Sequence, residues 1–175
     1  RLRAMNVWSP IRPDSARGLT FGPGGTKTGR MKKLLAYSAA FALAATTAAC
    51  HRTAELNIAT VGDTMAYDTS SLTAKTGQTV HVVLTNHATS PAMKHNWVLV
   101  KPGTEAKVAT AGMTAGEAAG YVPSGDADVL ANTPLSQPGG QAEVTFTAPA
   151  PGTYAYICTF PGHYQTMHGT FTVTP

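Results

Sequence analysis

Cysteine is nearly absent from this chain: 175 residues contain only Cys50 and Cys158, too few for a fold stapled by several disulfides. There is no internal repeat, and no low-complexity segment apart from an alanine-rich stretch before Cys50. No apolar run reaches the ~18 residues that a spanning helix needs. Basic residues are also scarce beyond residue 50. Of thirteen Lys and Arg, eight lie in residues 1–50 together with one of the nine acids. The remainder holds five basic and eight acidic side chains, a net charge of −3. The overall pI near 9.2 therefore belongs to the first fifty residues, and it gives no argument for a nucleic-acid partner.

What is present begins with a leader. Met31-Lys32-Lys33 precedes an apolar run over 34–49 that ends in small residues, the order of a charged region, a hydrophobic region and a cleavage site in an export signal. Because Thr47-Ala48-Ala49 is followed directly by Cys50, the segment 31–49 is similar to a bacterial lipoprotein signal. Cys50 is then the lipidation site, residues 50–55 are a short tether, and the mature protein is held on a membrane without spanning it. The other reading is an ordinary secretory signal that happens to end beside a cysteine. Residues 1–30, rich in Arg, Pro and Gly without periodicity, are read as an upstream segment outside the mature protein. The expected location is exported: periplasm or cell envelope, lipid-anchored.

From residue 56 to 175 the pattern is one of short alternating apolar stretches broken by Gly, Pro, Asn and Asp. Strands are predicted over 55–61, 79–86, 96–101, 127–132, 141–147, 152–159 and 169–174. In the second, Val80, Val82 and Leu84 share one face. Thr76-Gly77, Pro102-Gly103, Pro138-Gly139 and Pro151-Gly152 supply the turns. Residues 111–121 read instead as a short helix or loop outside the strands. The expectation is an all-β Greek-key sandwich of seven or eight strands with one short helix or loop insertion. Trp97, Tyr154, Tyr156 and Phe171 are read as packing residues.

With Cys50 assigned to the leader, Cys158 stands unpaired in an oxidising compartment, where a free thiol is a liability unless something holds it. It opens the spacing Cys158-x4-His163-x3-Met167 between two predicted strands. A thiolate, an imidazole and a thioether on one such loop can converge on one atom, and two imidazoles, a thiolate and a weak thioether are a copper donor set. Zinc suits the thiolate and imidazoles but normally closes its tetrahedron with a fourth strong ligand, which a thioether is not. The second histidine must come from elsewhere. His95, at the mouth of a strand, is the best donor, and spacing alone leaves His87 open.

His95-Asn96-Trp97-Val98-Leu99 and Cys158-Thr159-Phe160-Pro161-Gly162-His163 resemble azurin, the small blue-copper protein of the cupredoxin group, and its lipid-anchored relatives the auracyanins. The likeness runs through Gly112-Met113, Tyr121, Val144-Thr145-Phe146 and Gly169-Thr170. It implies one copper ion, Cu(I)/Cu(II), with His95, Cys158, His163 and Met167 as ligands. It implies further that Asn96 bonds the cysteine sulfur or pins the loop, and that Phe160 packs beside the site. The pattern departs at Lys94, where azurins have a glycine whose carbonyl approaches the copper; lysine offers a carbonyl too, from a conformation glycine reaches more easily.

The function so implied is that of an electron carrier, not an enzyme. It shuttles single electrons between transient redox partners such as cytochromes or membrane electron-transfer complexes. Electrons would leave by the edge of His163, amid an apolar docking patch of Pro91, Met93, Pro161, Gly162 and Tyr164. The rival function is a copper-binding lipoprotein that stores or delivers the metal without electron transfer.

Overall fold

The computed structural model describes residues 52–175; the leader, Cys50 and the upstream segment lie outside the described residues. Eight strands form two sheets. In chain order they are β1 (Ala54–Ala59), β2 (Ser71–Lys75), β3 (Thr79–Thr85), β4 (Val98–Val100), β5 (Val129–Asn132), β6 (Gln141–Thr147), β7 (Gly152–Ile157) and β8 (His168–Thr174). One sheet has the order β1-β3-β6 and the other β2-β8-β7-β4-β5. Pairs β1/β3 and β2/β8 are parallel, and the remaining pairs are antiparallel.

The alternation in β3 works as its sequence dictates. Val80, Val82 and Leu84 are wholly buried, and they meet Leu72, Trp97, Leu99, Tyr156 and Phe171 from the facing sheet. Trp97 is the hub of this layer, its ring stacked on Tyr156 with centroids 5.8 Å apart and set edge-on to Phe171 at 6.5 Å. Tyr154 packs against the same core partly buried, so the four aromatics read as packing residues are packing residues.

The five-stranded sheet is covered on its second face too. Every residue of β4 is buried, because Leu99 points into the sandwich while Val98 and Val100 point the other way, to Val108, Ala109 and Ile157. Val108 and Ala109 belong to helix α1 (Glu105–Ala115). The helix therefore lies earlier than the short helix or loop expected over 111–121: Glu105-Ala106-Lys107 are good helix formers, and Gly116, at φ 77°, ends it inside that range. A 3-10 turn, Glu117–Ala119, follows. Among the described residues no helix is long and apolar enough to cross a membrane.

Candidate metal centre

Antiparallel pairing places the centre. Val98 at the start of β4 sits opposite Ile157 at the end of β7, so the residues just before β4 and just after β7 emerge side by side at one end of the sheet. These are His95-Asn96-Trp97 and Cys158-Thr159. Strand β8 returns beside β7 with His168 opposite Ile157, which brings Met167 level with Cys158: the Cys158 amide donates to the Met167 carbonyl at 3.0 Å. Cysteine and methionine thus form the base of a loop. His163 lies at its turn, its carbonyl accepting from the Thr166 and Met167 amides at 3.1 and 2.8 Å.

The structure brings three predicted side chains together. One donor atom each from His95, Cys158 and His163 lies within 4.8 Å of the others. Nδ1 of His95 is 3.9 Å and Nδ1 of His163 is 3.6 Å from the Cys158 sulfur. All three residues are buried, and Met167 at the loop base is completely so. His87 and His168 are exposed; the alternative donor left open by spacing does not join the cluster.

Electrostatics state what such a cluster lacks. Burial pushes the Cys158 thiol up to about 11, although the backbone N–H groups of Asn96 and Phe160 work against it. Burial, and then the neighbouring His163, hold His95 down to about 4; burial also lowers His163. By itself the cluster is neutral at physiological pH, with two imidazole lone pairs and a thiol that ionises only if a cation takes the proton's place. On the His95 ring, Nε2 has no hydrogen-bond partner among the described residues, while Nδ1 faces the Cys158 sulfur. The two Nδ1 atoms and the sulfur could hold a metal ion between them, and a thiolate with two imidazoles is a set that suits copper.

Asn96 is completely buried and ties the two halves of the centre. Its amide donates to the Thr159 hydroxyl and the Gly120 carbonyl, both at 2.8 Å, and its side-chain oxygen accepts the Thr159 amide at 2.9 Å. The Phe160 ring lies against His163, centroids 4.8 Å apart. Lys94 is not in the left-handed region, where Tyr121 is the one non-glycine among the described residues. The strain expected of lysine in place of glycine therefore does not arise. Its ammonium is paired with Glu117.

Two contributors were missed by sequence reasoning. Asn86, wholly buried, donates to the Met93 carbonyl at 2.9 Å and the Ser136 carbonyl at 3.2 Å, while Ser136 exchanges two backbone bonds with His95, 3.1 and 2.7 Å. Tyr67 donates to the Asn96 carbonyl at 2.5 Å. A lone Asn at a strand end and a Tyr in a loop carry no sequence signal that separates them from ordinary turn residues.

Of the proposed docking residues, Pro91, Pro161 and Gly162 are exposed, and Met93 and Tyr164 half-buried. The large apolar residues most exposed among those described, Val61, Met65 and Met113, lie at the same end. The loop holding Val61 and Met65 is pinned by Asp63, which accepts from the Thr89 and Ser90 amides at 2.7 and 2.8 Å, just before Pro91. Met113 borders a depression of about 190 Å³ with Phe160, Pro161, Gly162 and Tyr164.

A two-sheet sandwich with a buried Cys-His-His cluster at one end defines a single-site metal-binding β-protein. Comparison makes the class specific. The family model of copper binding proteins of the plastocyanin/azurin family matches residues 54–174, and this chain belongs to that family. Auracyanin-A of Chloroflexus aurantiacus is 45% identical over 120 residues, covering 67% of this chain and 73% of its own. An azurin from Achromobacter denitrificans is 45% identical over 95 residues, 53% of this chain and 64% of its own. The solved structure of auracyanin A, described as a "blue" copper protein, superposes with a TM-score of 0.66 at 43% identity, covering 70% of this chain and all of its own. The fold is thus that of a cupredoxin, and its cofactor is a single copper ion.

Proposed function

We propose that the chain is a one-electron carrier whose copper is held by His95, Cys158, His163 and Met167, with Lys94 offering the backbone carbonyl nearest the first histidine for a further weak contact. The observation that carries this reading is the buried convergence of two imidazole Nδ1 atoms on one thiol sulfur. Copper, when bound, supplies a Cu(I)/Cu(II) couple. The protein's part is to keep the donors in place through both states. His95 is fixed by paired backbone hydrogen bonds to Ser136, Cys158 by the hydrogen bond its N–H donates to the Met167 carbonyl, and Asn96 clamps the two segments. Donors on loops anchored by the flanking strands leave little to rearrange, which favours electron transfer over metal delivery, where ligands must exchange.

Electrons leave by the edge of His163, through transient contact at Pro91, Met93, Pro161, Gly162 and Tyr164. The partners are redox proteins such as cytochromes or membrane electron-transfer complexes. The protein is exported to the periplasm or cell envelope and tethered by lipid on Cys50, as the leader over 31–49 supports. Loading the protein with Cu(II) tests the ligand set: the native chain gives the intense blue absorption of a copper–thiolate bond, and Cys158→Ser gives none. Retention of the band in Cys158→Ser would remove the assignment.

A further inference from the structure

Residues 116–121 run beside the metal centre as a strap fastened at three points. Glu117 at its start forms an ion pair with Lys94, the residue before His95. The Gly120 carbonyl accepts the Asn96 amide at 2.8 Å. The Tyr121 carbonyl packs so closely on Gly112 of α1 that any β-carbon there would collide with it, so glycine at 112 is required by a close approach and not by its φ. Tyr121 itself has φ 58°, a conformation that non-glycine residues adopt rarely and that persists only where the surroundings enforce it.

What this conformation achieves is the placement of one ring. The Tyr121 ring meets Phe160 edge to face, centroids 5.1 Å apart, and Phe160 in turn lies 4.8 Å from the ring of His163. The strap reaches the His95 side as well, through Lys94 at its opposite end and through Asn96 at Gly120. One segment therefore supports both sides of the centre, through Phe160 beside His163 and through Lys94 and Asn96 beside His95, without contributing a donor atom. We propose that Tyr121 is a positioning residue: its strained backbone, locked by Gly112 and by the Lys94–Glu117 pair, holds Phe160 against His163 and so fixes the orientation of that imidazole. The inference rests on the ligand reading above.

The test uses Tyr121→Gly, which tolerates φ 58° and removes the whole side chain, and Tyr121→Phe, which keeps the ring. In the metal-free protein, the His163 ring resonances measured by NMR broaden in Tyr121→Gly and stay sharp in the native chain and in Tyr121→Phe. In the copper-loaded protein, Tyr121→Gly binds copper on the order of tenfold more weakly, as loss of a supporting contact does, its copper hyperfine pattern changes, and Tyr121→Phe restores both. Sharp His163 resonances and native affinity in Tyr121→Gly would overturn the proposal. So would a Tyr121→Phe variant as impaired as Tyr121→Gly, since the hydroxyl and not the ring would then be responsible. The metal-free measurement stands apart from the ligand reading: if the native chain showed no blue band, it would still decide whether Tyr121 orders His163.

Discussion

Asn86 shows how a residue outside the buried cluster fixes the backbone that carries one of its members. Its side chain reaches the Thr60 hydroxyl, the Ala88 amide and the carbonyls of Met93 and Ser136, so four segments at the metal end meet at one buried amide. Truncation leaves several of these groups without partners inside the protein, each costing roughly 1–3 kcal/mol. We expect Asn86→Ala to lower stability by about 3 kcal/mol in urea denaturation of the metal-free protein, and an unchanged midpoint would show that the hub is dispensable. Legibility at this scale divided by chemistry. Cys158 and His163, which the structure brings together with His95, were legible because a thiol and an imidazole at that spacing have few other uses. Asn86, Tyr67 and Tyr121 did not, because their roles consist of hydrogen bonds and packing to residues distant in the chain. Lys94 was read as a source of strain, yet its backbone is ordinary and its side chain is engaged with Glu117.

Among the elements, the three-stranded sheet carries a titratable cross-link. His81, in the central strand β3, bonds Glu55 of β1 through Nδ1 at 2.6 Å and Glu143 of β6 through Nε2 at 3.2 Å. These carboxylates, Glu55 first, raise the histidine above its ordinary value of 6.5. A group whose folded pKa is raised stabilises the fold fully below its unfolded pKa and loses that contribution as pH rises through the folded value. His95 and His163 act in the opposite sense in the metal-free protein, being lowered on folding. The difference between native protein and His81→Gln therefore isolates the cross-link. It should be largest below pH 6.5 and shrink on going alkaline; a difference independent of pH would mean that the imidazole does not charge.

The same sheets show where pattern reading fails. Strand β2, Ser71-Leu72-Thr73-Ala74-Lys75, was not anticipated: only Leu72 and Ala74 are buried, and two apolar residues in a polar stretch give too short an alternation. Its existence depends on parallel pairing with β8, a contact a hundred residues away. Strand β4 is shorter than the 96–101 expected, because Asn96 is drawn out of the ladder into bonds with Gly120 and Thr159. Gly169 in β8 has a legible counterpart in packing, since a β-carbon there would run into the Tyr156 ring and the Ser70 carbonyl. We expect Gly169→Ala to cost about 1–3 kcal/mol as overpacking, read by thermal unfolding. A native melting temperature would mean that the β2–β8 edge yields freely.

Over the described residues, 52–175, the buried cluster and the most exposed large apolar residues lie at one end. The buried cluster, the half-buried Met93 and Tyr164, and the exposed Val61, Met65 and Met113 are all supplied by loops or helix at the metal end of the sandwich. Such a surface suits brief encounters, in which a neutral apolar contact lets partners approach closely and separate. A charge at its centre should impede docking without touching the donors. Tyr164→Glu is expected to slow electron transfer to a redox partner in stopped-flow while leaving the blue band intact; equal rates would place the docking surface elsewhere.

The central claim is that the buried His95–Cys158–His163 cluster holds a copper ion that takes up and releases one electron without changing its surroundings. Spectroelectrochemical titration of the copper-loaded protein tests it most directly. The blue band should bleach and return fully over repeated cycles, with about 59 mV of applied potential per tenfold change in the oxidised-to-reduced ratio, as a one-electron couple requires. A band that fails to return after reduction, or copper that leaves the protein on reduction, would contradict the carrier and favour a protein that stores or delivers the metal.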